Sequence, residues 1–485
     1  MKHLSLKQIA LHIALMMSSF SISSIQAVEL AAPTEMTESG TATSIAMFNQ
    51  SIESSLTNLI NRTNTSYPAV KSALVKLDQT ADGTLQALVV SQALNGSGQF
   101  NTFYNITPDN QVENNQHYIA KFTAETTILP TDADDSDDAD QSSLSQLAAQ
   151  LNLIQIGYFT ASGDIVAAVK LADPLNYQWI NPQKQTTQIS IADATFNYQT
   201  SDRMQTLSSN LQIPRLNLNS REAAVIATDL NIQQNSNQFD ANLAYTGSQQ
   251  LTAASVVIDK LDESWWLKDI VINVQKQLND QLLLSQKNQI TLHGLFDAKA
   301  TQTRVNFDLA ANLNIEKIDI NAFKQFKLLA NQYAQTPAYD QTLLMAMLTQ
   351  LLNSSPTLEL ENSILDIEGQ KGFFNIALSA MPVIASQNTL IPNLGLLQQI
   401  SNMNLQAKMI IPAQWFLTFK IFNDKASLDQ AIKQHIEQIN ALNLDGMLNY
   451  DGQNIGLNFE VKNGIVWVNG EAKAPLFNLL SLLIK

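Results

Sequence analysis

The sequence predicts an α+β fold that is predominantly antiparallel β: an extended, twisted meander sheet with a few covering helices. Three observations predict it. Apolar and polar residues alternate with a period of two over much of residues 157–320, as in strands with one buried face. Apolar residues at helical spacing are confined to short segments. Asp-Gly and Asn-Gly dipeptides, which favour tight hairpins, stand near the C-terminus.

The clearest alternating run extends from Val305 to Ile315. Its odd positions are apolar and its even positions are mostly Asn or Asp, as in an antiparallel strand with one wet side. At roughly 3.3 Å per residue, the apolar stripe is on the order of 35 Å long. The run predicts an apolar groove lined by Val305, Phe307, Leu309, Leu313 and Ile315.

Helical spacing predicts helices at a few places. Near the N-terminus, apolar residues from Ile45 to Leu59 share one face, and Ser44 is the expected N-cap. A helical pair is predicted over residues 321–355. A further helix is predicted over 427–441, with Ser427 as its N-cap.

The C-terminal region carries the strongest turn signals. Asp451-Gly452 and Asn463-Gly464 predict type I′ hairpins, because both central residues of such a turn need positive φ. The two turns together predict a meander of three strands. The apolar tail over 476–484 predicts a short helix that docks on this meander.

The first 27 residues resemble a secretory leader. Lys2 and Lys7 precede an apolar segment, and Ala27 is a plausible cleavage residue. An uncleaved anchor is the alternative. The sequence then divides into 28–130 (a helix and strands), an acidic linker at 131–142, a β-rich region at 143–320, the helical pair at 321–355, and a C-terminal meander at 356–485 containing the helix 427–441.

Composition excludes several classes of function. The formal net charge is −15, which argues against nucleic-acid binding because that binding needs a basic surface. The chain has no cysteine, so disulfides, cysteine-ligated metals and thiol catalysis are excluded. Charged residues are only 15% of the chain, and Asn, Gln, Ser and Thr take their place on the polar faces. No cofactor motif is present, and we expect none to be bound.

The sequence offers little catalytic chemistry. The histidines are scattered, so three close metal ligands are not expected. Asp262-Glu263 beside Trp265-Trp266 is the one place where acids and large aromatic residues adjoin, which keeps a carbohydrate-active hydrolase as a distant alternative. Six aspartates stand between Asp132 and Asp140, but neither register tested fits an EF-type calcium loop, so we expect a solvated loop.

Several segments resemble the YdgA-like family of bacterial envelope proteins, a group of unknown biochemical function. The resemblance rests on the strand at 305–315, the helix at 321–333, the segments Leu358-Glu359-Leu360 and Phe374-Asn375-Ile376-Ala377-Leu378, Leu448-Asn449-Tyr450-Asp451-Gly452, and Val466-Trp467-Val468-Asn469-Gly470. It implies an envelope location, with no active-site residue to transfer. The family usually keeps an N-terminal membrane anchor, whereas the leader of this chain has a more cleavable pattern.

These observations lead to two hypotheses. The first is a non-enzymatic periplasmic envelope protein whose apolar sheet face binds lipid or lipoprotein and supports envelope integrity. The second is an assembly or interaction scaffold that binds envelope proteins, or a second copy of itself, without a small ligand. Association with the inner membrane is expected if the leader is retained as an anchor. The alternating pattern establishes an apolar face but leaves open what covers it.

Overall fold

A computed structural model describes residues 41–66, 70–93, 99–113, 116–129, 152–180, 186–202, 204–221, 223–238, 246–299, 301–323, 354–380 and 403–476. Within these residues the protein is mostly antiparallel β with few helices, which confirms the predicted class. The chain divides into two compact units, an N-terminal unit that ends at Ala254 and a C-terminal unit that begins at Ser255. The division falls inside the β-rich region predicted at 143–320.

In the described residues of the N-terminal unit, the strands follow helix α1 (Thr41–Ser66). They are β1 (Val70–Gln79), β2 (Leu85–Ala93), β3 (Gln99–Glu113), β4 (Gln116–Leu129), β5 (Leu153–Thr160), β6 (Ile165–Leu171), β7 (Leu175–Ile180), β8 (Thr186–Ala192), β9 (Thr195–Ser201), β10 (Thr206–Asn219) and β11 (Ala223–Gln238). The next strand, β12 (Thr246–Lys260), contains the division between the units.

The described residues of the C-terminal unit continue with long strands, shorter strands and the helices α2 and α3. They are β13 (Glu263–Leu278), β14 (Leu283–Ala298), β15 (Thr303–Asp319), β16 (Thr357–Ile367), β17 (Gln370–Ala380), β18 (Met403–Pro412), α2 (Gln414–Thr418), α3 (Lys425–Ala441), β19 (Leu448–Tyr450), β20 (Asn454–Lys462), β21 (Ile465–Val468) and β22 (Glu471–Pro475).

In the N-terminal unit, β1 to β6 pair in chain order, and β6 then pairs with β9. Strand β10 pairs with β9 through its first half, with β8 through its second half, and with β11 along its other edge. The pairing of β10 with β8 and β9 is interrupted near Pro214, which has no N–H to donate to the ladder. Strand β7 extends the sheet beyond β8.

Helix α1 packs its apolar face against this sheet. Ile52 and Leu56 are fully buried, and they belong to one cluster with Phe122 and Phe159 of the strands. The predicted helix is therefore confirmed, although it begins before Ser44 and continues past Asn61 to Ser66. A second cluster, centred on Ile189 and built from β7, β8 and β10, forms the other part of the core of this unit.

In the C-terminal unit, β13 to β18 pair in chain order, so each long strand lies beside the strand that follows it in sequence. Strand β20 then pairs with β18 and carries β19 and β21, and β22 pairs with β21. Helix α3 packs on this last group through Leu428 and Ile432. The run predicted at 305–315 forms the middle of β15, as expected.

Two predicted local features need correction. The N-cap of α3 is Asp424, whose side chain accepts a hydrogen bond from the backbone N–H of Ser427, so Ser427 lies inside the helix. Asn463-Gly464 forms the predicted two-residue turn, with φ of 52° and 73°. The prediction of such a turn at Asp451-Gly452 is wrong, because Tyr450 pairs with Ile455 and the connection between them is longer.

The cause lies in the side chain of Asp451. Its Oδ1 accepts hydrogen bonds from the backbone N–H groups of Gln453 at 2.7 Å and Asn454 at 2.6 Å, which stabilises a wider, Asx-type turn. The predicted leader, the acidic linker at 131–142, most of the helical pair at 321–355 and most of the apolar tail at 476–484 lie outside the described residues.

Candidate functional site

Strand β15 places all five predicted groove residues on one side of the sheet, since they occupy alternate positions. Val305 is fully buried. Phe307, Leu309, Leu313 and Ile315 are only partly buried. The predicted side chains thus share one face, and of the five only Val305 is fully buried.

The strand register extends this surface to the neighbouring strands. Residues opposite the apolar positions of β15 are themselves mostly apolar. We call the following set the apolar face: Leu292 and Ile290 of β14; Phe307, Leu309, Ala311, Leu313 and Ile315 of β15; Leu365, Leu360 and Leu358 of β16; Phe374, Ile376 and Leu378 of β17; and Met409 and Leu405 of β18.

Most side chains of the apolar face are partly buried, and Leu358 is 42% exposed. From Phe307 to Ile315 the face is about 26 Å long, and five strands spaced about 4.8 Å apart make it roughly 20 Å wide. This footprint of roughly 500 Å² is exposed only in part, because most of its side chains are partly buried.

The opposite side of the same strands is mostly polar, although Phe373 of β17 and Ile410 of β18 are exposed there. His293 of β14 and Asp308 of β15 are cross-strand partners there, with Nδ1 and Oδ1 separated by 2.6 Å. The hydrogen bond to Asp308 raises the pKa of His293 above its ordinary value. Asn314 donates from its side chain to the Glu361 carboxylate at 3.2 Å. The alternation read from the sequence therefore separates the two sides of the sheet.

One end of the apolar face is closed by aromatic rings. The ring centroid of Trp265 lies 4.4 Å from that of Phe296 and 6.0 Å from that of Phe307. Trp415 of α2 packs with Val305 and Ile367, and its indole N–H donates to the Gln370 carbonyl. We call Trp265, Phe296, Phe307 and Trp415 the aromatic end.

Two glycines make this aromatic packing fit. A Cβ on Gly294 would lie 2.1 Å from Cζ of Phe307, and a Cβ on Gly372 would lie 2.3 Å from Cη2 of Trp415. Both distances are far shorter than an ordinary carbon contact, so each ring lies directly against a backbone that has no side chain. Any larger residue at either position would displace the ring.

The opposite end of the face is also buried. Leu284 of β14 is 6% exposed, and Ile320, which follows β15, is 1% exposed. Asp319 accepts a hydrogen bond from the backbone N–H of Ala322 at 2.8 Å, which holds the start of the helical turn at 320–323. The partly buried middle of β15 therefore lies between two buried ends.

The residues considered for hydrolysis do not form a paired acid site. Glu263 forms an ion pair with Lys260 at 2.5 Å, which lowers the pKa of Glu263. Asp262 belongs to the turn before β13, where its backbone carbonyl accepts from the N–H of Lys299. Trp265 and Trp266 point to opposite sides of the strand because they are adjacent.

The histidines stay apart from one another in the described structure. His117 is exposed on β4, His293 pairs with Asp308, and His435 lies within hydrogen-bond distance of Gln438 on α3. Among the described residues, no group of three His, Asp or Glu side chains is placed to hold a metal ion.

Several polar groups buried in the N-terminal unit were not predicted from the sequence. Asp164 is 4% exposed; its Oδ1 accepts from the N–H of Met204 at 2.6 Å, and its Oδ2 accepts from the Ser162 hydroxyl at 2.6 Å. The Gln155 side chain donates to the hydroxyl of Tyr198, whose pKa burial raises well above its ordinary value. The bond between Asp164 and Met204 joins the β5–β6 turn to the β9–β10 turn, and the bond between Gln155 and Tyr198 joins β5 to β9.

Together, the fold and the face define an antiparallel β protein with one apolar sheet surface that is partly buried between two closed ends. The chain belongs to the family described as bacterial protein of unknown function (DUF945), whose model matches residues 120–474. No curated protein and no solved structure matches the chain. Within the described part of the chain, no helix combines the length and the apolar character that a membrane span requires.

Proposed function

We propose that this protein is an exported, non-enzymatic component of the bacterial envelope that binds lipid on its apolar face and supports envelope integrity. The proposal places it in the periplasm, as a YdgA-like member of its family, with inner-membrane association as the alternative if the leader is retained. In this proposal the sheet is twisted, and helices cover only part of the apolar face.

The observation that carries the proposal is the continuity of the apolar face across β14 to β18. Its residues are in register on five neighbouring strands, and they remain partly buried while the ends of β15 are closed. A surface of this kind favours an extended apolar ligand over a compact polar one, because the hydrogen-bonding side chains among its positions, Asn288 and Ser363, are buried and bonded to backbone groups of the sheet.

The energetics suit an acyl chain. Each methylene group removed from water contributes about 0.8 kcal/mol, so a long chain lying in van der Waals contact with the face could gain several kcal/mol after its ordering cost. A soluble sugar or nucleotide would leave its polar groups without partners on the same surface, which makes binding unfavourable.

The test begins with protein purified from envelope fractions, analysed by native mass spectrometry and by extraction of lipid. We expect a co-purifying lipid. Replacing Leu309 and Leu313 by Asp should remove it, because both carboxylates would be placed on the apolar face. The matched control replaces Gln289 and Thr291 by Asp, since both residues are exposed on the polar side of β14.

A second variant separates loss of lipid from loss of folding. Ala311→Trp fills the middle of the face with an apolar side chain, so an accessible face should accept it and exclude the lipid. If the face is already packed within the protein, the same change should lower stability by about 1–3 kcal/mol. Destabilisation of Ala311→Trp together with no extractable lipid in the native protein would overturn the proposal in favour of an interaction scaffold.

A further inference from the structure

The turn that follows α2, beside the aromatic end, exposes large apolar side chains. The segment from Trp415 to Phe422 has six apolar residues in eight. Phe416 and Phe422 pack in the cluster beneath α3. By contrast, Phe419 and Ile421 are exposed, and Ile421 has 62% of its surface in solvent. The segment is therefore apolar on its outer side as well as on the side that packs.

A defined set of backbone hydrogen bonds orders this turn. The N–H of Lys420 donates to the Leu417 carbonyl, and the N–H of Ile421 donates to the Phe416 carbonyl. These are the two bonds of a Schellman motif, which usually has glycine at the position with positive φ and often packs the next residue against the helix. Here Lys420 has φ of 54°, and Ile421, the next residue, is exposed instead. An ordered turn thus leaves in solvent the apolar residue that commonly covers such a motif.

Hydrogen bonds connect this turn to two turns of the sheet. Nζ of Lys420 donates to the Thr301 carbonyl at 2.6 Å, in the β14–β15 turn. From that turn, the N–H of Lys299 donates to the Asp262 carbonyl at 2.9 Å, in the β12–β13 turn. The β12–β13 turn carries Leu261, which is 84% exposed, the largest fraction for a large hydrophobic side chain among the described residues. We call the following three residues the apolar tip: Leu261, Phe419 and Ile421.

The charges around the apolar tip are mixed. Lys260 is paired with Glu263, and Lys299 is paired with Asp259. The ammonium of Lys420 bonds to a backbone carbonyl. Because carboxylates accompany the lysines, a purely anionic partner gains little from these turns. A zwitterionic surface is complementary to them, since its phosphate and amine groups can accommodate both signs of charge.

We propose that the apolar tip docks the protein on the surface of a lipid bilayer, with its three side chains inserted at the boundary between head groups and acyl chains. A bilayer fits better than a groove on a protein partner. The three side chains stand on separate turns with lysines and carboxylates between them, whereas a protein interface buries a more continuous, charge-depleted core. Docking at the apolar tip is separate from lipid binding on the apolar face, and either can hold without the other.

Contact with the bilayer is tested by a fluorescent label on the full chain. The chain has no cysteine, so Ile421→Cys can carry one environment-sensitive fluorophore. With phosphatidylcholine vesicles we expect emission to move to shorter wavelength and to brighten several-fold, because the label enters apolar surroundings. Vesicles that also contain phosphatidylglycerol should be bound with the same affinity, because the surrounding charges are mixed. A retained leader cannot produce this signal, since the label reports only its own surroundings.

The matched control places the same label on the N-terminal unit. Val112 of β3 is 75% exposed, so Val112→Cys should carry the label without disturbing the fold. Its emission should not respond to vesicles. A response of equal size at both positions would reflect the fluorophore and overturn the assignment to the apolar tip.

A second variant tests whether the two turns form one docking surface. In the protein labelled at Ile421→Cys, Leu261→Ser should weaken vesicle binding about tenfold, because one inserted side chain is lost. Its thermal midpoint should stay the same, since Leu261 is exposed. Val112→Ser should change neither quantity. Equal vesicle affinity with and without Leu261→Ser would overturn the shared surface.

The remaining outcomes separate this surface from other contacts and from the proposed function. A label at Ile421→Cys that ignores vesicles but shifts as protein concentration rises would overturn bilayer docking in favour of contact with a second copy. Absence of any vesicle response in protein that still co-purifies lipid would overturn the docking surface and leave the proposed function standing. A vesicle response in protein that carries no extractable lipid would retain the docking surface and count against the proposed function alone.

Discussion

Two faces of alternating apolar residues, one in each unit, are buried to different degrees. In the N-terminal unit, Leu56 of α1 and Phe122 of the sheet are almost fully buried in one cluster. In the C-terminal unit, Leu309, Leu313 and Ile376 lie on strands with the same alternation yet remain partly buried. The alternation that forms a strand does not determine whether its apolar side becomes a core or a surface.

Among the described residues, the two sheets differ in what packs on them. Helix α1 places three turns of apolar side chains on the N-terminal sheet, and its cluster includes residues from β2 to β6. In the C-terminal unit, α2 contributes Trp415 at one end of the apolar face, while α3 packs on β19 and β20. A covered face contributes to stability through burial, whereas a partly covered one keeps apolar area available for a ligand.

The largest expected effect comes from truncating one leucine in each face. Leu56→Ala removes a fully buried side chain and should lower the free energy of unfolding by about 2–5 kcal/mol. Leu313→Ala removes a partly buried side chain and should cost about 1 kcal/mol. Denaturant titration of the whole chain, with hydrogen exchange of peptides from each unit, measures the two changes separately.

A lipid ligand sharpens this test. Palmitate, added as an acyl-chain probe, should raise the stability of the C-terminal unit in the native protein. The increase in stability should be smaller in Leu313→Ala. The hydrogen-exchange rates of peptides from the N-terminal unit should not change. Equal costs for Leu56→Ala and Leu313→Ala would mean that the two faces are equally packed, and the comparison would no longer hold.

A smaller effect is expected from the buried acid of the N-terminal unit. Asp164→Ala removes the acceptor for the N–H of Met204, a residue with no exposed surface, and should cost about 1–3 kcal/mol. Asp164→Asn keeps an acceptor oxygen and should cost less. Urea midpoints measure both, and identical midpoints for the native protein and Asp164→Ala would show that the network does not hold the two turns together.

Much of the strand architecture follows from the sequence alone. The run from Val305 to Ile315 predicted both the strand and its two chemically different sides, because a period of two has only one regular structural interpretation. The Asn463-Gly464 turn was equally predictable, since both residues adopt positive φ at little cost. The helix at 425–441 was found from its apolar stripe, with an error of one turn at its N-cap.

The parts that sequence reasoning missed depend on contacts between distant residues. Trp415 reaches the aromatic end only because β17 and β18 are neighbours, and its fit depends on Gly372. Gly294 lies against the Phe307 ring only because the register of β14 and β15 makes the two residues cross-strand partners. A periodic pattern within one strand carries no signal for either arrangement.

The smallest expected effect on stability concerns the ion pair on the polar side of β15. This pair also provides a test of whether a ligand binds on the polar side or on the apolar face. Asp308 raises the pKa of His293, so the pair stabilises the fold below the ordinary histidine pKa of about 6.5, and this contribution is lost as the pH rises through the raised value. Both side chains are more than 60% exposed, so solvent screens the pair and the thermal midpoint should change little.

Titration by NMR should find the His293 pKa above 6.5 in the native protein and closer to 6.5 in Asp308→Asn. Palmitate binding should be the same in both proteins at pH values on either side of this titration, because His293 and the apolar face lie on opposite sides of the sheet. A palmitate affinity that follows the His293 titration would show that the ligand contacts the polar side. That result would place the lipid site away from the apolar face and remove the functional contrast between the two units.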